Sequence, residues 1–291
     1  MEKEKRLTDL SYIREIMQEH HAKFQKKFGQ NFLCEAAVPQ RIAQECGASK
    51  KSGILEIGPG IGCLTQCLCE RFSKVVAVEI DADMIRILHK TLAHYANLAV
   101  LHTDIMQTDL PTLVKQYFAD MPVSVCANLP YYITTPVLLK LLESRVPFDY
   151  ITVMVQKEVA RRLCAVPGTP DYGAVTASVS YYASVRRLFD VSAGCFIPRP
   201  KVDSSVICLS VYRQPPVHTL DEKILFRVIR AAFAQRRKTL LNALAAAFQT
   251  IPKEKLAALL TAQGFHVQLR GEQLSLEEFC QIANAISAYG I

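Results

Sequence analysis

No run of about 18 apolar residues occurs in this 291-residue chain, so no membrane span is expected. Met1 to Arg6 is charged and no apolar stretch follows it, so no secretory signal is expected either. The one cysteine cluster, Cys63, Cys67 and Cys69, has no paired C-x-x-C partner and no histidine at zinc spacing, so no metal site is expected. No internal repeat or low-complexity tract is evident. Several of the ten cysteines, Cys126 and Cys208 among them, sit in apolar runs, where a free thiol behaves as a small hydrophobe. These features together point to a reducing cytoplasm with unpaired thiols.

What is present is a large apolar fraction, 50% of the residues, and a formal charge of +7. The first allows one large domain or two ordinary ones. The second is consistent with a polyanionic partner, although many enzymes are basic without one. Strand-like runs alternate with helical patterns from Ile54 to Tyr212. Ile54–Ile57, Val75–Val78, Ala99–Leu101, Val123–Ala127 and Tyr150–Val155 read as five strands, with helices such as Asp83–His94 and Thr135–Leu142 between them. That alternation predicts an α/β fold with a parallel, doubly wound sheet. Val185–Phe189 and Ser204–Tyr212 have no helix between them, so one of the pair is expected to run antiparallel. Arg213-Gln214-Pro215-Pro216 reads as a linker, because Pro-Pro cannot continue a strand interior. It divides an N-terminal domain, 1–213, from a small all-helical C-terminal domain, 214–291. Leu220–Phe248, Lys253–Gln263 and Leu276–Ser287 carry helical spacing there, and Leu10–Lys27 forms a basic helical extension at the start.

Two constellations carry chemistry. Ile54-Leu55-Glu56-Ile57-Gly58-Pro59-Gly60-Ile61-Gly62 runs from a strand into a glycine-rich turn. The dinucleotide fingerprint wants its third glycine where this chain has Cys63, which counts against NAD and FAD. Glu56 suits a ligand with a positively charged end. Glu79, 19 residues past Gly60, can accept from both hydroxyls of a ribose, although it also reads as an exposed strand-end acid. Asp104, after the third strand, suits an adenine amine, although an aspartate there also makes a good helix cap. The second constellation is Asn128-Leu129-Pro130-Tyr131, at the end of the fourth strand. It reads either as a strand end followed by a proline turn or as a grip on a planar base. In the second reading the Asn128 side-chain oxygen and a nearby backbone carbonyl accept both hydrogens of an exocyclic amine while Tyr131 stacks on the ring. Gly58, Glu79, Asp104 and Asn128 come from four successive strand ends, where open α/β sheets bind ligands.

The ordered set Lys27-Phe28-Gly29-Gln30-Asn31-Phe32-Leu33, Glu56-Ile57-Gly58-Pro59-Gly60, Asn128-Leu129-Pro130-Tyr131 and Phe196-Ile197-Pro198-Arg199-Pro200-Lys201-Val202-Asp203-Ser204 resembles the ribosomal RNA adenine N6-dimethyltransferases. The resemblance covers nearly the whole chain. It implies a Rossmann-like methyltransferase sheet and S-adenosyl-L-methionine as cofactor. It implies cofactor contacts at Asn31, Leu33, Gly58, Glu79, Asp104 and Asn128. It also implies a target-base clamp of Asn128, Leu129, Tyr131 and Phe196. No general base is expected, since proton loss follows methylation of the amine. Tyr132 stands where some members carry Asn.

The implied activity is dimethylation of two adjacent adenosines near the 3′ end of small-subunit rRNA, within a precursor of that subunit, and nothing in the chain requires more than a monomer. Two alternatives share the pocket or the fold: a large-subunit rRNA methyltransferase of the macrolide-resistance type, and a non-catalytic ribosome-assembly factor. Arg236-Arg237-Lys238, expected inside the first C-terminal helix, Arg161-Arg162, Arg186-Arg187, Arg199 with Lys201, and Lys23, Lys26 and Lys27 are candidate phosphate contacts. Each is equally readable as a solvated face.

Overall fold

The computed structural model describes residues 6–20, 30–235 and 237–289. In chain order the first elements are α1 (Leu10–Glu19), β1 (Phe32–Leu33), α2 (Ala37–Glu45), β2 (Gly53–Ile57), α3 (Cys63–Arg71), β3 (Lys74–Glu79), α4 (Ala82–Thr91), β4 (Leu98–His102), α5 (Leu110–Phe118), β5 (Val123–Asn128), α6 (Thr134–Glu143), β6 (Tyr150–Gln156) and α7 (Lys157–Leu163). They are followed by α8 (Ala174–Ser180), β7 (Ala183–Val191), β8 (Phe196–Ile197), β9 (Ser204–Val211), α9 (Glu222–Ala234), α10 (Leu240–Ala247), α11 (Lys253–Ala262) and α12 (Leu276–Ser287).

The main sheet has seven strands in the order β4-β3-β2-β5-β6-β9-β7. β2 pairs in parallel with both β3 and β5, and β4 and β6 extend the parallel ladder outward. β9 runs antiparallel to β6, with Val153 opposite Ile207, as expected for one of the two late strands. The inner strands are apolar without alternation because helices cover both faces: every residue of β2 is buried, whereas edge strand β4 is half-exposed. The chain order reverses between β2 and β5. That reversal opens a crevice at the carboxyl ends of these two strands. A separate two-stranded ladder pairs β1 with β8, Phe32 opposite Ile197 and Leu33 opposite Phe196.

The chain divides into two compact units, 1–160 with 185–211 and 161–184 with 212–291. The division is therefore not the single cut near residue 213 read from the sequence. The segment Arg161–Ser184 joins the C-terminal helices because its aromatic side chains pack among theirs. Tyr182 stacks on Phe226 with centroids 5.6 Å apart, Tyr172 meets Phe233 edge-on, and the Tyr181 hydroxyl donates to Glu222 Oε1 at 2.8 Å. Within this second unit the helices are capped by their own sequence. Asp221 accepts from Lys223 N and Ile224 N at the start of α9, and Ser275 and Glu278 form a reciprocal box at the start of α12.

The helical pattern read over Leu220–Phe248 is not one helix. α9 ends at Ala234 and Thr239 caps α10, so Arg237 and Lys238 lie in the turn between them rather than in a helix. Arg236 lies outside the described residues. In the N-terminal extension α1 spans Leu10–Glu19 and buries Ile13, Ile16 and Met17; Lys23, Lys26, Lys27, Phe28 and Gly29 lie outside the described residues. Among the described residues no helix is long and apolar enough to cross a membrane.

Candidate functional site

The crevice at the reversal point is a cleft of about 250 Å³. Asn31, Leu33, Gly58, Glu79, Asp104, Asn128, Leu129, Tyr131 and Phe196 all line it. The candidate cofactor and base-clamp residues are thus brought to one place, by β1, by the ends of β2 to β5 and by β8.

The glycine turn is built for close approach. Gly60 has φ +58, and a Cβ there would stand 2.9 Å from the Phe32 ring. Only glycine meets both conditions without strain. Cys63, which occupies the place of the third fingerprint glycine, is buried. Its thiol faces the Leu7 carbonyl at 3.0 Å and the Leu33 carbonyl at 3.3 Å, tying the start of α3 to β1.

Glu79 closes the turn from the next strand. Its carboxylate accepts from Gly60 N at 3.1 Å, Ile80 N at 2.8 Å and Asp81 N at 2.9 Å. Burial raises its pKa, and these three backbone donors oppose the rise. Two carboxylate oxygens offer about four acceptor positions, so room remains for a further donor. Asp81 caps α4 and accepts from Gln30 Nε2 at 2.8 Å, which joins the segment before β1 to the same strand end. Glu56 is almost fully buried at 1% exposure, and its Oε2 has no partner among the described residues. Burial pushes its carboxyl up to about 8, and the nearby Glu79 charge adds to the rise.

Asp104 does not cap a helix. Its Oδ1 accepts from Met106 N at 2.8 Å and its carbonyl accepts from Gln107 N and Thr108 N, so it opens a turn instead. Asp109 takes the cap position of α5. Asp104 Oδ2 makes no hydrogen bond among the described residues.

At the end of β5, Asn128 Nδ2 donates over a long 3.5 Å to the Asn31 carbonyl. With the amide set this way, Oδ1 is left as a free acceptor among the described residues. The Pro130 carbonyl is occupied, accepting from Ile133 N at 3.2 Å and Thr134 Oγ1 at 3.1 Å. The Leu129 carbonyl accepts nothing among the described residues and is the free backbone acceptor beside Asn128. Tyr131 is half-buried, with its hydroxyl 2.8 Å from Ser204 Oγ at the start of β9. Phe196 is buried on β8 opposite Leu33, so its ring is presented by the small ladder and not by a loop alone.

Sequence reasoning missed that ladder. The Phe28–Leu33 and Phe196–Ser204 segments are far apart in the chain, and strands of two residues leave no periodic signal. It also missed Ile80, Met106 and the Ser204 anchor, which are ordinary residues on their own. The described candidate phosphate contacts Arg161, Arg162, Arg186, Arg187, Arg199, Lys201, Arg237 and Lys238 are all exposed.

The sequence profile of the ribosomal RNA adenine dimethylases matches residues 21–288. A relative from Lachnoclostridium phytofermentans named ribosomal RNA small subunit methyltransferase A is 46% identical over 94% of both chains. The crystal structure of a dimethyladenosine transferase from Plasmodium falciparum superposes with a TM-score of 0.77 at 25% identity, covering 89% of this chain and 98% of that one. The 23S rRNA methyltransferase ErmE shares the fold at a TM-score of 0.67 and 23% identity, over 88% of this chain and 99% of its own. This chain belongs to the ribosomal RNA adenine dimethylase family.

Proposed function

We propose that the chain is an S-adenosyl-L-methionine-dependent enzyme that dimethylates N6 of adenosine in small-subunit rRNA. The observation that carries this reading is the pair of free acceptors, Asn128 Oδ1 and the Leu129 carbonyl, beside an anchored aromatic ring in a cleft of ligand size. An exocyclic amine has two hydrogens to give, and its lone pair is delocalised into the base. Two acceptors that hold both hydrogens favour a tetrahedral nitrogen and return the lone pair to it. Tyr131 and Phe196 supply faces for the base once it has left its stack, as enzymes acting on bases commonly require. Alignment and hydrogen bonds that strengthen at the transition state carry the rate, with no general base required.

The other half of the cleft fits the cofactor. Glu79 has acceptor capacity for a ribose diol, Asp104 Oδ2 for an adenine amine, and buried Glu56 has an unpartnered oxygen suited to an ammonium group. Gly58 and Gly60 let the backbone approach, and Asn31 and Leu33 close the side formed by β1. When bound, the cofactor supplies an electrophilic methyl group on a sulfonium centre.

The small-subunit assignment is supported by the 46% identity to a small-subunit enzyme over 94% of both chains. Two adjacent adenosines near the 3′ end, carried in a precursor of the subunit, are the target, and the enzyme works as a cytoplasmic monomer. The first unit carries the chemistry, and exposed arginines and lysines in both units, Arg161, Arg199 and Arg237 among them, contact phosphates. The test is transfer of labelled methyl to unmodified small and large subunits, followed by nucleoside analysis. Dimethyladenosine in the small subunit alone is expected. Label in the large subunit would reassign the substrate, and RNA binding without label would turn the protein into an assembly factor.

A further inference from the structure

The rim of the cleft carries three exposed large apolar side chains, Ile80, Met106 and Tyr132. Exposed apolar groups clustered at one mouth mark a surface that something covers. Ile80 and Met106 follow the acids Glu79 and Asp104, on the cofactor half. Tyr132 is different. It adjoins the base clamp, and at 61% it is the most exposed of the large apolar side chains among the described residues.

The turn that carries it is fixed. The Pro130 carbonyl holds both Ile133 N and Thr134 Oγ1, and the adjacent Tyr131 is anchored through Ser204. Two neighbouring rings therefore have opposite roles. Tyr131 is hydrogen-bonded and half-buried inside the cleft. Tyr132 stands exposed at its rim, and its hydroxyl has no partner among the described residues. A rigid backbone that presents a free aromatic face beside a pocket for one base offers a platform for a second base. A strand that places one nucleotide in the pocket carries the adjoining nucleotide within reach of the cleft mouth.

We propose that Tyr132 stacks on the nucleobase next to the target adenosine and so holds the strand while the target lies in the pocket. The proposal rests on the reading of the cleft as an RNA adenosine site. It makes Tyr132 a positioning residue that acts through the ring face, with no use for its hydroxyl.

Loss of one base stack corresponds to roughly a tenfold weaker complex. Tyr132→Ala is expected to raise KM for the small subunit about tenfold, with kcat and cofactor affinity near wild type. Tyr132→Phe is expected to restore the wild-type KM, and Tyr132→Leu is not. The direct readout is a small-subunit rRNA hairpin with 2-aminopurine either beside the target or in its place, bound to the full-length protein. The wild-type protein is expected to quench the neighbouring probe by stacking. Tyr132→Ala is expected to lose that quench while the probe at the target position responds as before. An unchanged KM and an unchanged neighbouring quench in Tyr132→Ala would overturn the proposal and leave the reading of the site intact. A wild-type protein that transfers no methyl to small-subunit RNA would instead remove the reading on which it rests.

Discussion

Tyr131 and Ser204 face each other hydroxyl to hydroxyl at 2.8 Å, joining the turn after β5 to the first residue of β9. The contact sets the ring that is to stack on the target base from a strand two places away in the sheet. Ser204 is fully buried, so its removal leaves the tyrosine hydroxyl without a partner. Ser204→Ala is expected to lower stability by about 1 kcal/mol. It is also expected to raise KM for RNA several-fold while cofactor affinity stays unchanged. Thermal denaturation and steady-state methyl transfer check the two effects separately.

Glu79 ties together three backbone donors and offers its remaining capacity to the cofactor. An amide in its place presents an NH2 group to one side and cannot accept there. Hydrogen bonds to a charged group contribute about 1.5–3 kcal/mol. Glu79→Gln is expected to weaken cofactor binding at least tenfold by calorimetry, with RNA binding in a gel shift nearly intact. Equal loss of both would show that the substitution disrupts the fold and not one ligand.

The buried Glu56 carboxyl gives a pH dependence with a definite sign. Folding raises its pKa from the ordinary 4.5 to about 8 through burial. Between those values the folded protein keeps a proton that the unfolded chain releases, so stability falls as pH rises through the window. The full effect is on the order of several kcal/mol. Glu56→Gln keeps the shape without the ionisation. Its unfolding free energy, measured by urea titration from about pH 5 to pH 8, is expected to depend less on pH than that of the wild type.

A substitution within the second unit tests that unit by itself. Gly271 lies so close to α9 that a Cβ would stand 2.5 Å from the Ala232 Cβ and 2.8 Å from its carbonyl oxygen. Backbone cannot give way cheaply, and overpacking of this kind costs about 1–3 kcal/mol. Gly271→Ala is expected to lower the melting temperature by several degrees while cofactor binding at the native temperature is retained. Calorimetric scanning and a cofactor titration decide the matter.

Much of this was legible because a parallel sheet writes itself in runs of Ile, Val, Leu and Ala. Val75–Val78 and Val123–Ala127 could be little else, and the polar residues that end them, Glu79 and Asn128, stand out against the apolar background. The segments that close the site were harder. Phe32 and Ile197 pair over two residues, and the pairing depends on tertiary contacts instead of local propensity. The helical pattern from Leu220 to Phe248 hid a turn because both helices are apolar on one face, so periodicity continues across a break that backbone geometry imposes at Gln235. Asp104 kept two readings open, an acceptor for an adenine amine and a helix cap, since both draw on the same carboxylate oxygens.

The three crossings between the compact units have a consequence for descent. A protein whose second unit hangs on a single linker can trade it for another by one recombination event. Here Arg161–Ser184 lies in the second unit, and Tyr172, Tyr181 and Tyr182 pack there with Phe233, Glu222 and Phe226. A lineage that replaced everything after Pro215 would strand those three tyrosines without their companions. The inserted segment and the terminal helices must therefore change together, so this portion of the molecule is inherited as a pair of pieces and not as a detachable tail.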